Sequence, residues 1–97
     1  MNEQVLSDDQ IETAVEELNV AWSAIPGQGL VRVFETSNFA EGLALVNEIA
    51  KVAEAQNHHP DVTLRYNEVE LTTTTHSASG VTQKDIDLAK SIDKLTT

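Results

Sequence analysis

The sequence predicts an α+β fold of two layers, with three helices on one face of a four-stranded antiparallel sheet in the order αββαββα. Three observations predict it. Three stretches open with a hydrogen-bonding cap and continue with apolar residues at helical spacing. Four stretches between them have the composition or the two-residue alternation of strands. The strands come in pairs divided by single helices, which favours antiparallel pairing with helices packed to one side.

The elements follow in order. SDDQ (7–10) reads as a capping box, with Leu6 and Ile11 as its hydrophobic staple, and Ile11, Ala14, Val15 and Leu18 form one apolar face. Val20, Trp22 and Ala24 alternate as a first strand, after which PGQG (26–29) turns the chain. In 30–36, Val31 and Val33 share one face while Arg32 and Phe34 share the other. NFAE (38–41) caps the second helix, with Glu41 in the first turn, where a carboxylate is favoured. Its stripe is Phe39, Leu43, Val46, Ala50 and Ala53, widened by Leu45, Ile49 and Val52, which predicts the most buried of the helices. Val62, Leu64 and Tyr66 alternate with Thr63 and Arg65. Val69, Leu71, Thr73 and Thr75 alternate with Glu68, Glu70, Thr72 and Thr74. The parity breaks near Asn67-Glu68, which predicts a hairpin over 62–75. TQKD (82–85) caps the third helix, with Val81 and Ile86 as staple and Leu88, Ile92 and Leu95 as its apolar side.

At 97 residues the chain reads as one domain, 1–97. It has no cysteine, which excludes disulfide scaffolds, thiol nucleophiles and thiolate metal sites. The first ten residues carry neither the basic nor the apolar region of a secretory leader, so a cytoplasmic location is expected. No apolar run approaches the roughly 18–20 residues of a membrane span. A formal charge of -10 argues against direct nucleic-acid binding and against an anionic membrane surface. A neutral or cationic small molecule, or a protein client, suits it better. A four-stranded sheet leaves two edges, so pairing between copies is expected.

Two of the three histidines, His58 and His59, stand side by side before Pro60 at the expected end of the second helix. The hairpin register sets His59 opposite His76, which would gather all three imidazoles on one patch. Glu54, four residues before His58, lies on the same helix face and joins them. Three chemistries are open to such a patch. The histidines can be surface groups that suit a helix C-terminus. They can be metal ligands, although adjacent side chains on extended backbone diverge and rarely share one ion. They can exchange protons, since imidazole titrates near neutral pH.

The residues Glu54, His58, His59, Pro60, Tyr66, His76 and Asp85 spell E-x3-HHP-x5-Y-x9-H-x8-D. This pattern resembles the signature of the pterin-4a-carbinolamine dehydratases over most of the chain, from about Trp22 to the last helix. The resemblance implies helices on one face of a four-stranded antiparallel sheet. It implies an enzyme, a hydro-lyase that removes water from 4a-hydroxytetrahydropterin to give quinonoid dihydropterin in tetrahydropterin recycling, without metal or organic cofactor. By position His58, His59 and His76 match the family's catalytic imidazoles and Glu54 its supporting carboxylate. One of His58 and His76 would then be the acid and the other the base, with His59 orienting substrate or sharing a proton. Asn57, Pro60, Thr74, Thr75 and Ser77 match positions around the pterin. Asp85 already has a capping role, which accounts for its match. The resemblance further implies a homodimer or homotetramer. It also brings an alternative, because some relatives act without catalysis as partners, in transcription-factor dimerisation or Rubisco assembly. Three positions depart from the family pattern: Val62 where tryptophan is frequent, Ser77 where an acid is common, and Ala78-Ser79-Gly80 in place of an Ala-Gly-Gly type of stretch.

Overall fold

The computed structural model of the chain describes residues 4–96. Its elements are α1 (Asp8–Val15), β1 (Ser23–Ile25), β2 (Gly29–Glu35), α2 (Phe39–Gln56), β3 (Asp61–Arg65), β4 (Glu68–Thr73) and α3 (Gln83–Leu95), with a 3-10 turn, His76–Ala78, ahead of α3. The expected order holds, and the strands form one antiparallel sheet in the order β1-β2-β4-β3.

All three helix starts are capped as their sequences require. Ser7 and Gln10 close a capping box at α1, Asn38 accepts from the Glu41 N–H at α2, and Thr82 and Asp85 close a second box at α3. Alternation then sorts the sheet. Leu30, Arg32 and Phe34 of β2 register with Thr73, Leu71 and Val69 of β4 and share one face with them. Leu30, Val69 and Leu71 are fully buried, in one cluster with Ile86, Leu88, Ala89 and Ile92 of α3 and Ile49 and Ala53 of α2. Each such leucine or isoleucine contributes about 1.5–3 kcal/mol through the area it removes from water.

Two expectations are corrected. The first strand is shorter than the alternation suggested: Val20 is in a turn and almost wholly exposed, while Trp22 is buried just ahead of β1. The second concerns α2, which carries three buried residues against five on α3 and turns Phe39, Leu43 and Ala50 outward. Its inward face runs through Gly42, Ile49 and Ala53. A Cβ on Gly42 would stand 2.7 Å from a Leu64 methyl, so the absent side chain is what lets α2 sit close to β3.

The inner face also holds a charge. The Arg32 guanidinium donates to Asp93 Oδ1 at 2.6 Å and lies over the Phe34 ring at 4.1 Å. The Trp22 indole N–H donates to the same oxygen and the Asn19 N–H to its neighbour, both at 2.8 Å. Burial holds the Arg32 pKa below its usual value, and Asp93 opposes that shift without cancelling it. This arrangement ties the chain before β1 to α3.

At the end of the sheet where β2 begins, Gly29 has φ +122, a conformation that favours glycine. A Cβ there would run into the Thr73 carbonyl and come within 2.9 Å of Thr74 Cβ. Gly29→Ala is expected to cost about 2–3 kcal/mol in chemical denaturation, from backbone strain and collision together. A loss below about 0.5 kcal/mol, the range of an ordinary surface change, would mean that β2 and β4 part freely at this end.

Candidate active site

The end of α2 places the first two histidines. Asn57 adopts the left-handed conformation, φ 52 and ψ 41, that commonly closes a helix. Its N–H returns to the helix, and the His58 N–H reaches the Ala53 carbonyl at 3.1 Å. Pro60 then favours extended backbone at His59, and β3 starts at Asp61. The left-handed residue swings the chain off the helix, so the four-residue relation of Glu54 to His58 does not survive. Glu54 instead bonds His59, Nε2 to Oε2 at 2.5 Å. His58 turns inward and its Nε2 meets Asp85 Oδ1 at 2.6 Å. The two rings live in different media: the His58 side chain is 12% exposed and that of His59 54%.

Asp85 does more than cap a helix. Its carboxylate is fully buried and accepts hydrogen bonds from Thr73 Oγ1 at 2.6 Å, Thr75 Oγ1 at 2.8 Å and the Thr82 N–H at 2.9 Å, besides its contact with His58. An ionised carboxylate has acceptor sites enough for all four. In that state its bond to His58 places a proton on Nε2. One side chain thus joins the start of α3, the end of β4 and the segment leaving α2.

His76 opens the 3-10 turn that follows β4. The turn is pinched at its base, where the Thr75 N–H donates to the Gly80 carbonyl at 3.0 Å and the Gly80 N–H donates back at 3.3 Å. His76 borders a groove of about 1140 Å³ that runs past Ile11 and Val15 of α1, Trp22 and the β1–β2 turn. Asp61 and Thr74 border it as well. Among the described residues the side chains of Asp61, Thr74 and His76 make no hydrogen bond or ion pair. Among the described residues four carboxylates, on Asp8, Glu12, Glu16 and Asp61, line the groove and no lysine or arginine does, so it suits neutral or hydrogen-bond-donating ligands.

The sequence-derived site is thus divided. β3 and β4 pair from Arg65–Glu68 to Asp61–Thr72 and stop there. Continuing that register would set Thr74, not His76, against His59, so the expected facing of the two histidines is corrected by two residues. Both still leave from the same end of the sheet. His58 borders a different, smaller depression between α2 and α3, beside Gln56, Lys84, Lys90 and Ser91. Thr74 borders the large groove, whereas Thr75 is buried in the Asp85 network. Asn57, Pro60 and Ser77 do not line the groove, and His59 stands two residues ahead of Asp61, which does. Among the described residues no three histidine, aspartate or glutamate side chains form a metal-binding group, and no helix is long and apolar enough to cross a membrane.

Sequence reasoning passed over Asp61 and the inward role of Asp85. The second had a signal. Thr73 and Thr75 fall on the inner parity of their strand, and a buried hydroxyl needs a partner.

Comparison with known proteins agrees with this architecture. The family model described as pterin 4 alpha carbinolamine dehydratase matches residues 4–95. A protein of Nocardia farcinica that provisionally carries the name pterin-4-alpha-carbinolamine dehydratase is 42% identical, over 98% of this chain and 98% of its own. The crystal structure of a transcriptional coactivator/pterin dehydratase from Brucella melitensis superposes with a TM-score of 0.87 at 28% identity, covering 97% of this chain and 100% of that one. A pterin dehydratase-like protein described as a RuBisCO assembly factor in the α-carboxysome shares the fold, with a TM-score of 0.59 at 19% identity, over 76% of this chain and 84% of its own.

Proposed function

The chain belongs to the pterin 4 alpha carbinolamine dehydratase family, and on that premise we propose that it removes water from a 4a-hydroxytetrahydropterin by histidine acid–base catalysis. The observation that carries the proposal is the pair of imidazoles at one end of the sheet, His59 held by Glu54 and His76 without a side-chain partner among the described residues.

Dehydration needs a proton delivered to the 4a-oxygen, cleavage of the C4a–O bond, and loss of the N5 proton as the C4a=N5 bond forms. In this proposal His76 protonates the departing oxygen, and His59 takes the N5 proton at Nδ1 while Glu54 bonds its Nε2. Water and the quinonoid dihydropterin leave, and both exposed rings re-equilibrate with solvent. His58, whose Nε2 is engaged by buried Asp85, is here a positioning residue and not a proton donor or acceptor. Asp85 positions His58, and through it the loop that carries His59. Thr74 is a polar contact for the pterin. Residues 1–97 act as one domain in this reading, in the cytoplasm and as a homodimer or homotetramer.

The direct test is stopped-flow dehydration of freshly generated 4a-hydroxytetrahydropterin. The wild-type chain is expected to accelerate water loss well beyond buffer, in proportion to its concentration. A rate equal to that of buffer alone would remove the enzyme reading and leave a protein-partner role.

A further inference from the structure

We propose that Asp61 reads the 2-amino edge of the pterin and makes this site selective for 2-amino-4-oxo heterocycles over their 2,4-dioxo counterparts. The inference rests on the dehydratase reading above.

A carboxylate on an exposed strand usually serves solubility. Asp61 differs in its surroundings. It is the first residue of β3, registered opposite Thr72 of β4. It borders the same groove as Thr74 and His76, and like them it has no hydrogen-bond or ion-pair partner among the described residues. Three polar side chains, two from the segment after β4 and one from the start of β3, thus meet one cavity with their hydrogen-bonding capacity unspent.

Position relative to the chemistry singles out Asp61 among the groove's carboxylates. Asp8, Glu12 and Glu16 come from α1 and its C-terminal cap, an element separate from the segment that carries His59. Asp61 follows His59 by two residues through Pro60. On extended backbone that spacing sets both side chains on the same side, roughly 7 Å apart, the scale of a single heterocycle. A pterin whose N5 edge meets His59 therefore turns its pyrimidine ring toward Asp61.

The chemistry of that ring completes the argument. A pterin presents N3–H and the C2 amino group side by side, two donors in one plane. A carboxylate presents two acceptors in one plane and takes both in a bidentate, charge-assisted pair. A lumazine keeps N3–H but carries an oxygen at C2, so one carboxylate oxygen would face another acceptor. The site therefore pairs with the first and repels the second. Among the described residues no lysine or arginine lines the groove to compete for Asp61.

The test uses two stable product-like probes, 7,8-dihydropterin and 7,8-dihydrolumazine, titrated by fluorescence against wild type, Asp61→Asn and Asp61→Ala. Wild type is expected to favour dihydropterin by about tenfold or more. Asparagine offers one acceptor and one donor, which matches the lumazine edge, so Asp61→Asn is expected to lose or invert that preference. Asp61→Ala is expected to weaken dihydropterin by a similar factor and to affect dihydrolumazine little. In stopped flow the loss in Asp61→Asn is expected to fall on KM more than on kcat. Equal weakening of both probes, unchanged selectivity in Asp61→Asn, or no dihydropterin binding by wild type would each overturn the proposal. Failure of the dehydratase reading appears elsewhere, as absence of catalysis by wild type, and leaves the probe titrations to decide the role of Asp61. Because the side chain has no partner to lose among the described residues, the variants are expected to keep wild-type circular dichroism and melting.

Discussion

Asp85→Ala is expected to destabilise the protein by about 3–5 kcal/mol, the range seen when one partner of a buried polar or ionic cluster is removed. For a domain of this size that corresponds to a fall in Tm on the order of 20 °C. The reason is the number of donors it strands. Thr73 Oγ1, Thr75 Oγ1, the Thr82 N–H and His58 Nε2 all direct a hydrogen bond at this carboxylate. Thr75 keeps a second contact with Thr82 Oγ1 at 2.8 Å, so its hydroxyl is partly compensated. Thr73 Oγ1 and the Thr82 N–H lose their acceptor where they are buried, at about 1–3 kcal/mol for an unsatisfied buried group, while His58, 12% exposed, loses a part-buried one. Asp85→Asn is expected to fall between, because an amide keeps one acceptor oxygen and turns an NH2 toward two of the donors. Chemical denaturation of the three proteins gives the order directly. A loss below about 1 kcal/mol for alanine, no more than one ordinary hydrogen bond, would show that the network is not a structural centre.

His76→Ala and His59→Ala are expected to act in the opposite way, on rate and not on stability. Each ring is exposed, so its loss should change unfolding free energy by no more than about 0.5 kcal/mol. Each is expected to lower kcat about a hundredfold or more, the usual worth of a positioned acid or base. The double variant should be little slower than the slower single one, since a proton relay fails as a unit. Glu54→Gln should cost less than His59→Ala, because it leaves the imidazole in place and removes only its charged partner. His58→Ala provides the contrast. It leaves Asp85 short of one donor and is expected to lower stability together with rate. If His58→Ala proves fully stable and as slow as His76→Ala, then His58 takes part in proton transfer, and its assignment as a positioning residue is wrong.

The fold was legible because its determinants are local. Capping boxes, staples and alternating strands are each written in a few consecutive residues, and SDDQ, NFAE and TQKD all start helices where they were expected to. The buried face of α2 was not legible. Apolar residues surround more than half of that helix, and periodicity counts a glycine as blank, whereas the structure turns Gly42 inward because it alone lets Leu64 approach. The gathering of the histidines was predicted from a hairpin register two residues off. The strands stop pairing at Asp61–Thr72, and both loops then follow turn geometry, a left-handed Asn57 on one side and a 3-10 turn on the other. The double duty of Asp85 was hidden by its first duty: a capping residue seemed accounted for, and only packing shows that a cap at the mouth of α3 also faces His58.

The pinch between Thr75 and Gly80 gives the segment inside it a particular evolutionary freedom. Its two reciprocal backbone bonds close the loop on itself, so residues 76–79 hang from the scaffold like a cassette. Ser77 and Ser79, two of the positions at which this chain differs from the family pattern, both fall inside it. The residues flanking His76 can therefore change while the sheet and α3 remain as they are.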